Sequence, residues 1–271
     1  MPAPLLSALT SKRRPLVMGI LNVTPDSFSD GGVYNAPETA FLHAQKMLEE
    51  GADILDVGGE STRPGATAIS EQEELDRVLP VLEKLRGLNT LISIDTYKAS
   101  VAEAAIKAGA HIVNDVWGLQ KDERMAEVVA KAGVPVIMMH NRNEADETID
   151  IMKDIKLFFD RSIELATKAG ISHHNQILDP GFGFGKAYSQ NYEILKRFQE
   201  LKSHGRVLLA GASRKRMIGN LLNVEPKDRI FGSLAVHILA MTGGARIIRA
   251  HDVKAHVDST HVFHEMQELG A

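Results

Sequence analysis

Eight polar positions, each at the end of an apolar run, recur along this 271-residue chain and are of types that bind a small polar ligand. They are Asn22, Asp56, Asp95, Asn114, His140, Asp179, Ser213 and, last, Arg249 with His251. The acids and amides suit a flat heterocycle rich in N–H donors, because a carboxylate can accept two parallel hydrogen bonds from an amidine-like edge. Buried polar groups must bind something or pair with each other. Asp56 and His140 are the two for which we expect a purely structural role.

A second set of side chains predicts an anion site. Arg63, Lys215, Arg249 and His251 supply local positive charge in a chain whose net charge is −4. Arginine offers the bidentate geometry that suits phosphate oxygens. Asn22 adds a neutral oxygen, which suits Mg²⁺ shared with a pyrophosphate and water. The two sets together indicate a ligand with a flat ring at one end and phosphate at the other.

Glycine-rich loops follow three of the apolar runs. They are residues 22–32 (NVTPDSFSDGG), 58–65 (GGESTRPG) and 179–186 (DPGFGFGK). Glycine permits close approach of the backbone to a ligand, and in the third loop either Phe182 or Phe184 is a candidate to stack on a ring. A basic segment, residues 213–216 (SRKR), follows another apolar run. We expect Lys215 to face the site, and Arg214 and Arg216 to stay on the surface.

The elements that must position these residues alternate along the chain. Strand-like runs span Leu16–Val23, Ala52–Gly58, Leu91–Ile94, His111–Asn114, Pro135–His140, Gln176–Asp179, Arg206–Gly211 and Ala245–Arg249. The mean interval between their polar ends is roughly 32 residues, about one strand and one helix. Helices are predicted after a capping pattern at 70–73 and at 99–108, 125–132 and 155–169, each of these three closed by a glycine. This alternation predicts a parallel (β/α)8 TIM barrel, with an open doubly wound sheet as the alternative.

Composition narrows the class of protein. The chain has no cysteine, which excludes disulfides and thiolate metal sites. No apolar stretch approaches the roughly 20 residues that span a bilayer, and the acidic balance argues against nucleic-acid binding. We expect a cytoplasmic protein that binds neither membrane nor nucleic acid. Its predicted organisation is an N-terminal extension at 1–14 and a single barrel domain at 15–271.

The three glycine-rich loops, the SRK segment and the final Arg249-x-His251 together resemble the dihydropteroate synthase family over nearly the whole chain. The resemblance implies a cytoplasmic (β/α)8 enzyme of folate synthesis that requires Mg²⁺. The implied reaction joins 6-hydroxymethyl-7,8-dihydropterin pyrophosphate to p-aminobenzoate, giving 7,8-dihydropteroate and pyrophosphate. It also implies a homodimer formed through the last helices, such as 229–241, whose Phe231, Leu234, Ile238 and Leu239 would serve equally well in the core. Sulfonamides, which share the aryl amine, would compete with p-aminobenzoate.

The resemblance also implies roles for individual residues. Asn22 is similar to the metal-linked asparagine of the family. The residues that resemble the pterin-binding set are Asp95, Asn114, Asp179 and Lys215. Those that resemble the pyrophosphate set are Arg63, Arg249 and His251. The surroundings of p-aminobenzoate are matched by Phe28, Thr62, Pro64, Phe184 and Ser213. Catalysis would then depend on Asp95, Lys215, Arg63, Arg249 and His251, which stabilise the departing anion and the cation left on the pterin.

Two segments depart from the family pattern. Residues 141–146 (NRNEAD) are polar and lack glycine and proline, and Arg216 stands where many members carry a serine. Two other functions remain possible from the residues: a methyltransferase acting on methyltetrahydrofolate, or a non-catalytic pterin-binding paralogue. The methyltransferase would need the pterin acids but no pyrophosphate cations, so the set of cations argues against it.

Overall fold

The computed structural model describes residues 12–24, 36–61 and 67–269. Eight parallel strands form a closed barrel in which each strand pairs with its neighbours in chain order and β8 pairs with β1. The strands β1 to β8 are Leu16–Asn22, Ile54–Gly58, Leu91–Asp95, Ile112–Asp115, Val136–Met139, Gln176–Asp179, Val207–Ala210 and Ala245–Ala250. The predicted (β/α)8 barrel is therefore confirmed, and the open doubly wound sheet is wrong.

Helices cover the outside of the barrel. Among the described residues, α1 to α9 are Ala36–Glu49, Glu71–Leu85, Ala99–Ala108, Met125–Ala132, Ile151–Ala169, Tyr188–Lys196, Arg216–Leu222, Ile230–Thr242 and Val253–Glu268. Short 3₁₀ turns lie at His173–Asn175, Phe198–His204 and Pro226–Asp228. Helix α2 begins after Ser70, whose hydroxyl accepts from the Glu73 N–H at 3.1 Å, as the capping pattern predicts. Helix α5 begins four residues before its predicted start, because Asp150 caps it through the Lys153 N–H.

The bottom of the barrel interior is a layer of apolar side chains. It comprises Leu16, Met18, Ile54, Ile112, Ile137, Ile177, Leu209 and Ile247. A larger core fills the space between strands and helices. The predicted site residues on the strands lie toward the carboxyl ends, above this apolar layer, where the register places residues of neighbouring strands side by side.

The amino end of the described chain packs against the bottom of the barrel. Arg14 is buried and donates to Asp53 at 2.8 and 3.0 Å, while Asp53 also accepts from the Val17 N–H. The division into an extension and a barrel domain at residue 15 stays a prediction. In the part of the chain that the structure describes, no helix has the length and apolar character needed to cross a membrane.

Helices α8 and α9 present apolar side chains to solvent. Phe231 is 79% exposed, Leu239 is 56% exposed and Val262 is 72% exposed. Ile238 is also exposed. The alternative that Phe231, Ile238 and Leu239 serve in the core is therefore wrong.

Candidate active site

Four strand ends are aligned in one row at the top of the barrel. The register pairs Asn22 with Gly58, Gly58 with Asp95, and Asp95 with Asn114. Gly58 keeps this row open, because a Cβ there would lie 3.5 Å from the Asp95 Cβ and 3.6 Å from the Asn22 Oδ1. An amide oxygen and a carboxylate thus border the same small space.

Arg249 on β8 connects Asp95, which lies in this row, with Asp56, which lies two residues before Gly58 on β2. Its Nε donates to Asp56 Oδ2 at 2.6 Å, and its Nη2 donates to Asp95 Oδ2 at 2.7 Å. Asp56 Oδ2 also accepts from Asn114 Nδ2 at 3.1 Å. Asp56, for which a purely structural role is predicted, therefore contacts two predicted site residues. Although burial opposes its charge, the carboxylates of Asp56 and Asp95 raise the pKa of Arg249.

The two acids share one guanidinium, and this leaves acceptor capacity unused. Asp56 is fully buried and Asp95 nearly so, yet Oδ1 of each has no hydrogen-bond partner among the described residues. Burial raises the pKa of Asp95 to about 7; Arg249 opposes the shift, and the nearby charge of Asp56 adds to it. Unsatisfied buried oxygens cost free energy, so Asp95 is suited to accept N–H groups from a ligand.

Asp179 supplies a third buried acid at the end of β6. Its Oδ1 accepts from the Gly181 N–H at 2.7 Å. Burial raises its pKa to about 6, and the Gly181 hydrogen bond and the charge of Lys215 limit the rise. Gly181 has a φ of +68°, and a Cβ there would lie 2.1 Å from the His140 carbonyl oxygen. Only glycine fits this position, which folds the loop back over the acid.

The two phenylalanines of this loop have different surroundings. Phe182 is fully buried and stacks on Phe198 with ring centroids 6.3 Å apart, so it is a core residue and not a candidate for ligand stacking. Phe184 is half-buried, and the Lys215 Nζ lies 4.0 Å from its ring centroid. The Lys215 stem passes Gly183, where a Cβ would lie 3.3 Å from its Cδ. Lys215 therefore lies against the DPGFGFGK loop, a contact that the sequence did not predict.

Lys186 fixes the end of this loop and was not predicted as a site residue. It is buried, and its Nζ donates to the carbonyl oxygens of His140 at 3.2 Å and Phe184 at 2.9 Å. Burial lowers the pKa of Lys186 to about 7, although Asp179 opposes the shift. His140 itself pairs through Nε2 with Asp154 Oδ2 at 3.0 Å, which agrees with a structural role.

Ser213 and His251 join the loops after β7 and β8. The Ser213 Oγ accepts from the His251 backbone N–H at 3.1 Å and lies 3.0 Å from its Nδ1. Burial and the charge of Arg249 lower the pKa of His251 to about 3. The imidazole is therefore neutral at pH 7, so the positive charge predicted for His251 is not present, and the ring can offer an anion only an N–H donor.

Arg214 and Arg216 behave differently, although they flank the same lysine. Arg216 is exposed, as predicted. Arg214 is not a surface residue: it is half-buried and binds Asp252 with two hydrogen bonds, at 3.0 and 2.5 Å. Asp252 follows His251 directly, so this ion pair ties the β7 and β8 loops together a second time.

Four predicted site residues, Phe28, Thr62, Arg63 and Pro64, lie outside the described residues. The structure brings the others together in two groups. Asn22, Asp95, Asn114 and Asp179 come from strand ends, while Phe184, Ser213, Lys215 and His251 come from loops. Arg249 stands on a strand and contacts the first group through Asp95. Such a barrel, with buried acids on one side and basic residues on the other, defines a binding site for a small ligand with both a ring and an anionic group.

Comparison with known proteins identifies the class. The family model described as "Pterin binding enzyme" matches residues 18–251 of this chain, which include every described site residue. The chain belongs to the family of pterin binding enzymes.

Individual relatives define its place within that family. The dihydropteroate synthase of Bacillus subtilis is 48% identical over 249 residues, covering 92% of this chain and 87% of that one. A Clostridium difficile dihydropteroate synthase solved in the presence of pteroic acid has a TM-score of 0.91 at 50% identity, covering 93% of this chain and 97% of that one. A Xanthomonas albilineans dihydropteroate synthase solved with 4-aminobenzoic acid has a TM-score of 0.90 at 46% identity, covering 94% and 93%. Within the pterin binding enzymes, this chain belongs to the dihydropteroate synthases.

Proposed function

We propose that this chain joins 6-hydroxymethyl-7,8-dihydropterin pyrophosphate to p-aminobenzoate, releasing pyrophosphate and forming 7,8-dihydropteroate in the cytoplasm. The observation that carries the proposal is the double contact of Arg249 with Asp56 and Asp95. This cation stands between acids suited to a pterin ring and loops suited to an anion. Solved relatives that contain pteroic acid or 4-aminobenzoic acid support the same substrates.

The acids and the amide would hold the pterin. Asp179 and Asp95 each keep acceptor capacity in a buried setting, and Asn114 can both donate and accept. The aminopyrimidine edge of a pterin carries adjacent N–H donors, which a carboxylate accepts in parallel. Because these residues end buried strands, the ring would enter a site that is already formed.

The basic residues would hold the pyrophosphate. Arg249 offers its guanidinium, His251 a ring N–H, and Lys215 an ammonium group. Arg63, which lies outside the described residues, is proposed to join them. An arriving pyrophosphate would draw Arg249 away from Asp95 and leave that carboxylate to the pterin ring.

The residues present fit Mg²⁺ at Asn22. Its Oδ1 borders the space beside Gly58 that it shares with Asp95, and neutral or anionic oxygens are the ligands that Mg²⁺ takes. Asn22 would hold the ion, with the remaining positions left to water and pyrophosphate oxygens. When bound, Mg²⁺ neutralises negative charge on the leaving group.

The chemistry then follows from charge. The C–O bond between the pterin methylene and pyrophosphate breaks, and both electrons leave with the pyrophosphate, which Arg249, Lys215 and His251 stabilise. The positive charge left on the reduced pterin is stabilised by the Asp95 carboxylate. The aryl amine of p-aminobenzoate attacks the methylene, forms the C–N bond and loses one proton to solvent. Asp95, Lys215, Arg63, Arg249 and His251 are the residues proposed to act in this step.

The second substrate would lie against the loops. Phe184, Ser213 and Lys215 supply a ring face, a hydroxyl and a positive charge, and Phe28, Thr62 and Pro64 are proposed to complete the pocket. A sulfonamide carries the same aryl amine and places an anionic group where the carboxylate lies. We expect sulfonamides to compete with p-aminobenzoate and to bind only when pyrophosphate and Mg²⁺ are present. Tight binding to the protein alone, measured by calorimetry, would contradict this pocket.

A direct assay tests the function. Purified protein is incubated with both substrates and Mg²⁺, and pyrophosphate and dihydropteroate are measured together. Equimolar formation of the two supports the proposal, and excess EDTA should abolish most of it. Methyl transfer from methyltetrahydrofolate would indicate the alternative enzyme, and pterin binding without turnover would indicate a non-catalytic paralogue. Equal rates with and without EDTA would remove Mg²⁺ from the proposal.

We also infer that the chain forms a homodimer through α8 and α9. Phe231, Leu239 and Val262 expose large apolar side chains on these two packed helices, and exposed apolar surface is typical of an interaction site. Phe231→Asp should yield a monomer by sedimentation equilibrium. Leu42→Asp, which changes an exposed leucine on α1, should leave the dimer intact. A monomeric parent protein would contradict this inference.

A further inference from the structure

A buried histidine lies behind the basic loops of the site. His237, on α8, is fully buried, and its Nε2 accepts from the Ala212 N–H at 2.9 Å. Ala212 immediately precedes Ser213, the residue that contacts both the backbone and the ring of His251. The hydrogen bond of His237 therefore fixes the point at which the β7 loop turns toward the anion end of the site.

The contacts determine the tautomer of His237. Burial lowers its pKa well below the ordinary value, so the ring is neutral. Because Nε2 accepts a hydrogen bond, the single proton must lie on Nδ1. That Nδ1 is buried and has no hydrogen-bond partner among the described residues.

A second buried histidine complements the first. His256, on α9, has its Nδ1 2.7 Å from the Asp252 carbonyl oxygen. Because a carbonyl oxygen can only accept, Nδ1 carries the proton of the neutral ring and Nε2 is unprotonated. Nε2 of His256 is likewise buried without a partner in the described part of the chain. The two rings pack edge to face with centroids 4.9 Å apart. One unpartnered atom is a donor and the other an acceptor, and the two rings that carry them are in contact.

The histidine pair connects the two loops that carry the anion end. At one end of the pair His237 holds Ala212, and at the other His256 holds Asp252, the residue after His251. In front of the pair, Arg214 and Asp252 form the ion pair already described. The loops are thus tied by one half-buried ion pair and by one buried contact between the two rings, and the buried contact contains no charged group that salt or ligand could compete for.

We propose that His237, supported by His256, is a positioning residue that holds Ser213 and His251 in the arrangement that receives the pyrophosphate. The inference rests on the proposed function, because it assigns that end of the site to pyrophosphate. His237 touches no substrate and acts through the Ala212 N–H. Its loss should therefore weaken ligands that carry pyrophosphate and spare a pterin that lacks it.

The test compares two substitutions of one residue. His237→Gln keeps an acceptor oxygen near the position of Nε2, while His237→Leu fills similar volume and leaves the Ala212 N–H without a partner. Calorimetry with 6-hydroxymethylpterin pyrophosphate and with bare 6-hydroxymethylpterin gives the ratio of the two affinities. We expect His237→Leu to lower that ratio about tenfold, an effect of the size expected for a buried unpaired donor. His237→Gln should keep the ratio within about threefold of the parent value.

A matched control separates positioning from general stability. Met241 is buried on the same helix, one turn further on, and lines a cavity at the opposite end of the barrel. Met241→Ala should lower the melting temperature and leave the affinity ratio unchanged. An unchanged ratio in folded His237→Leu, or an equal loss in Met241→Ala, would overturn the inference. If the parent itself does not prefer the pyrophosphate ester, the proposed function fails instead.

A measurement on the parent protein is independent of how the variants fold. Nitrogen-15 spectra of the histidine rings should show His237 and His256 both protonated on Nδ1 at pH 7, and His237 should stay neutral through the range in which an ordinary histidine titrates. A proton on Nε2 of His237 would remove the hydrogen bond to Ala212 and overturn the inference.

Discussion

The two ends of the site are built from different parts of the fold. The pterin floor, which we define as Asp95, Asn114 and Asp179, stands on strand ends inside the barrel wall. The anion rim, defined as Ser213, Lys215 and His251, stands on loops that follow β7 and β8. The floor is acidic and buried, while the rim is basic and depends on contacts from α8 and α9. We therefore expect that binding of a ring at the floor needs little rearrangement, whereas binding of an anion at the rim depends on loop placement.

Arg249 prevents the two regions from being independent. It stands on β8, a strand of the barrel wall, as the floor residues stand on strand ends, and it is positively charged, as Lys215 of the rim is. Its guanidinium pairs with the carboxylates of Asp56 and Asp95 at 2.6 and 2.7 Å. A ligand anion must therefore compete with the acids of the floor for this guanidinium. We expect inorganic pyrophosphate and bare pterin to favour each other's binding.

The largest effect should come from removing Arg249, the residue that connects the two regions. Arg249→Met leaves two buried carboxylates without their cation, and removal of one partner of a buried ion pair typically costs about 3–5 kcal/mol. Urea unfolding at pH 8 should show a loss of that order. Turnover should fall on the order of 10²–10³-fold, the usual effect of removing a group that stabilises the leaving charge. The variant should lose affinity at both ends of the site.

A second substitution distinguishes charge from shape in that experiment. Asp56→Asn in the Arg249→Met background removes one of the two unpaired carboxylates and should recover part of the lost stability. Lowering the pH to 6 should also recover stability, because the unpaired acids then take up protons. If Arg249→Met is as stable as the parent at pH 8, the ion pairs do not carry the structural role assigned to them.

The next largest effect should come from Asp179, and it should be confined to ligands that bind at the floor. Asp179→Asn removes the charge that accepts the pterin N–H groups, and a charge-assisted hydrogen bond is typically worth about 1.5–3 kcal/mol. Affinity for bare pterin should fall roughly ten- to a hundredfold by calorimetry, whereas affinity for inorganic pyrophosphate should change less than about threefold. Equal losses for both ligands would show that floor and rim are one unit.

The floor was predictable from the sequence, because the strand ends that carry its residues recur at regular intervals along the chain. Strand ends recur about once per βα unit, so Asp95, Asn114 and Asp179 could be placed together without knowing any contact. The register that pairs Asp95 with Asn114 agrees with this placement for those two residues. Helix ends were predictable for the same local reasons, since a capping serine or a terminal glycine acts within one turn.

Pairing across the barrel was not predictable in this way. A structural role is predicted for Asp56, but nothing local in the sequence identifies its partner as Arg249, 193 residues later. Phe182 and Phe184 are equivalent by composition, and only packing against Phe198 distinguishes them. Arg214 resembles a surface cation until the β8 loop brings Asp252 to it. Each of these choices depends on which loops meet in space, which a single sequence does not encode locally.

A pH series tests the electrostatics of the floor. Burial raises the pKa of Asp95 to about 7 and of Asp179 to about 6 in the empty site. A protonated acid cannot accept two parallel N–H bonds, so affinity for bare pterin should rise with pH from 5 and level off above 7, with a total change of about tenfold. In Asp179→Asn, only the part of the pH dependence of pterin affinity that comes from Asp95, near pH 7, should remain. Affinity independent of pH would mean that the acids are already ionised at pH 5.

The same pKa values make a prediction for the empty protein. In the folded state each acid holds its proton to a higher pH than in the unfolded chain. Between the pKa of the unfolded chain and the raised pKa of the folded protein, the folded state therefore binds more protons. Stability should therefore fall as the pH rises from about 4 through 7, and it should stop falling above that range. A bound pterin that satisfies the carboxylates should remove this decline.

The smallest expected effect concerns the rim alone. Lys215 Nζ lies 4.0 Å from the Phe184 ring centroid, and such a cation–π contact at a partly exposed site is worth about 0.5–1 kcal/mol. Phe184→Leu should therefore raise the KM for p-aminobenzoate about two- to fivefold and leave bare pterin binding unchanged. Phe184→Tyr keeps the ring face and should behave like the parent. Tyr188→Leu, which removes an exposed ring on the adjacent helix α6, should have no effect on either constant. A change in pterin affinity in Phe184→Leu would mean that the aromatic ring serves the floor as well, so that the loop after β6 belongs to both regions.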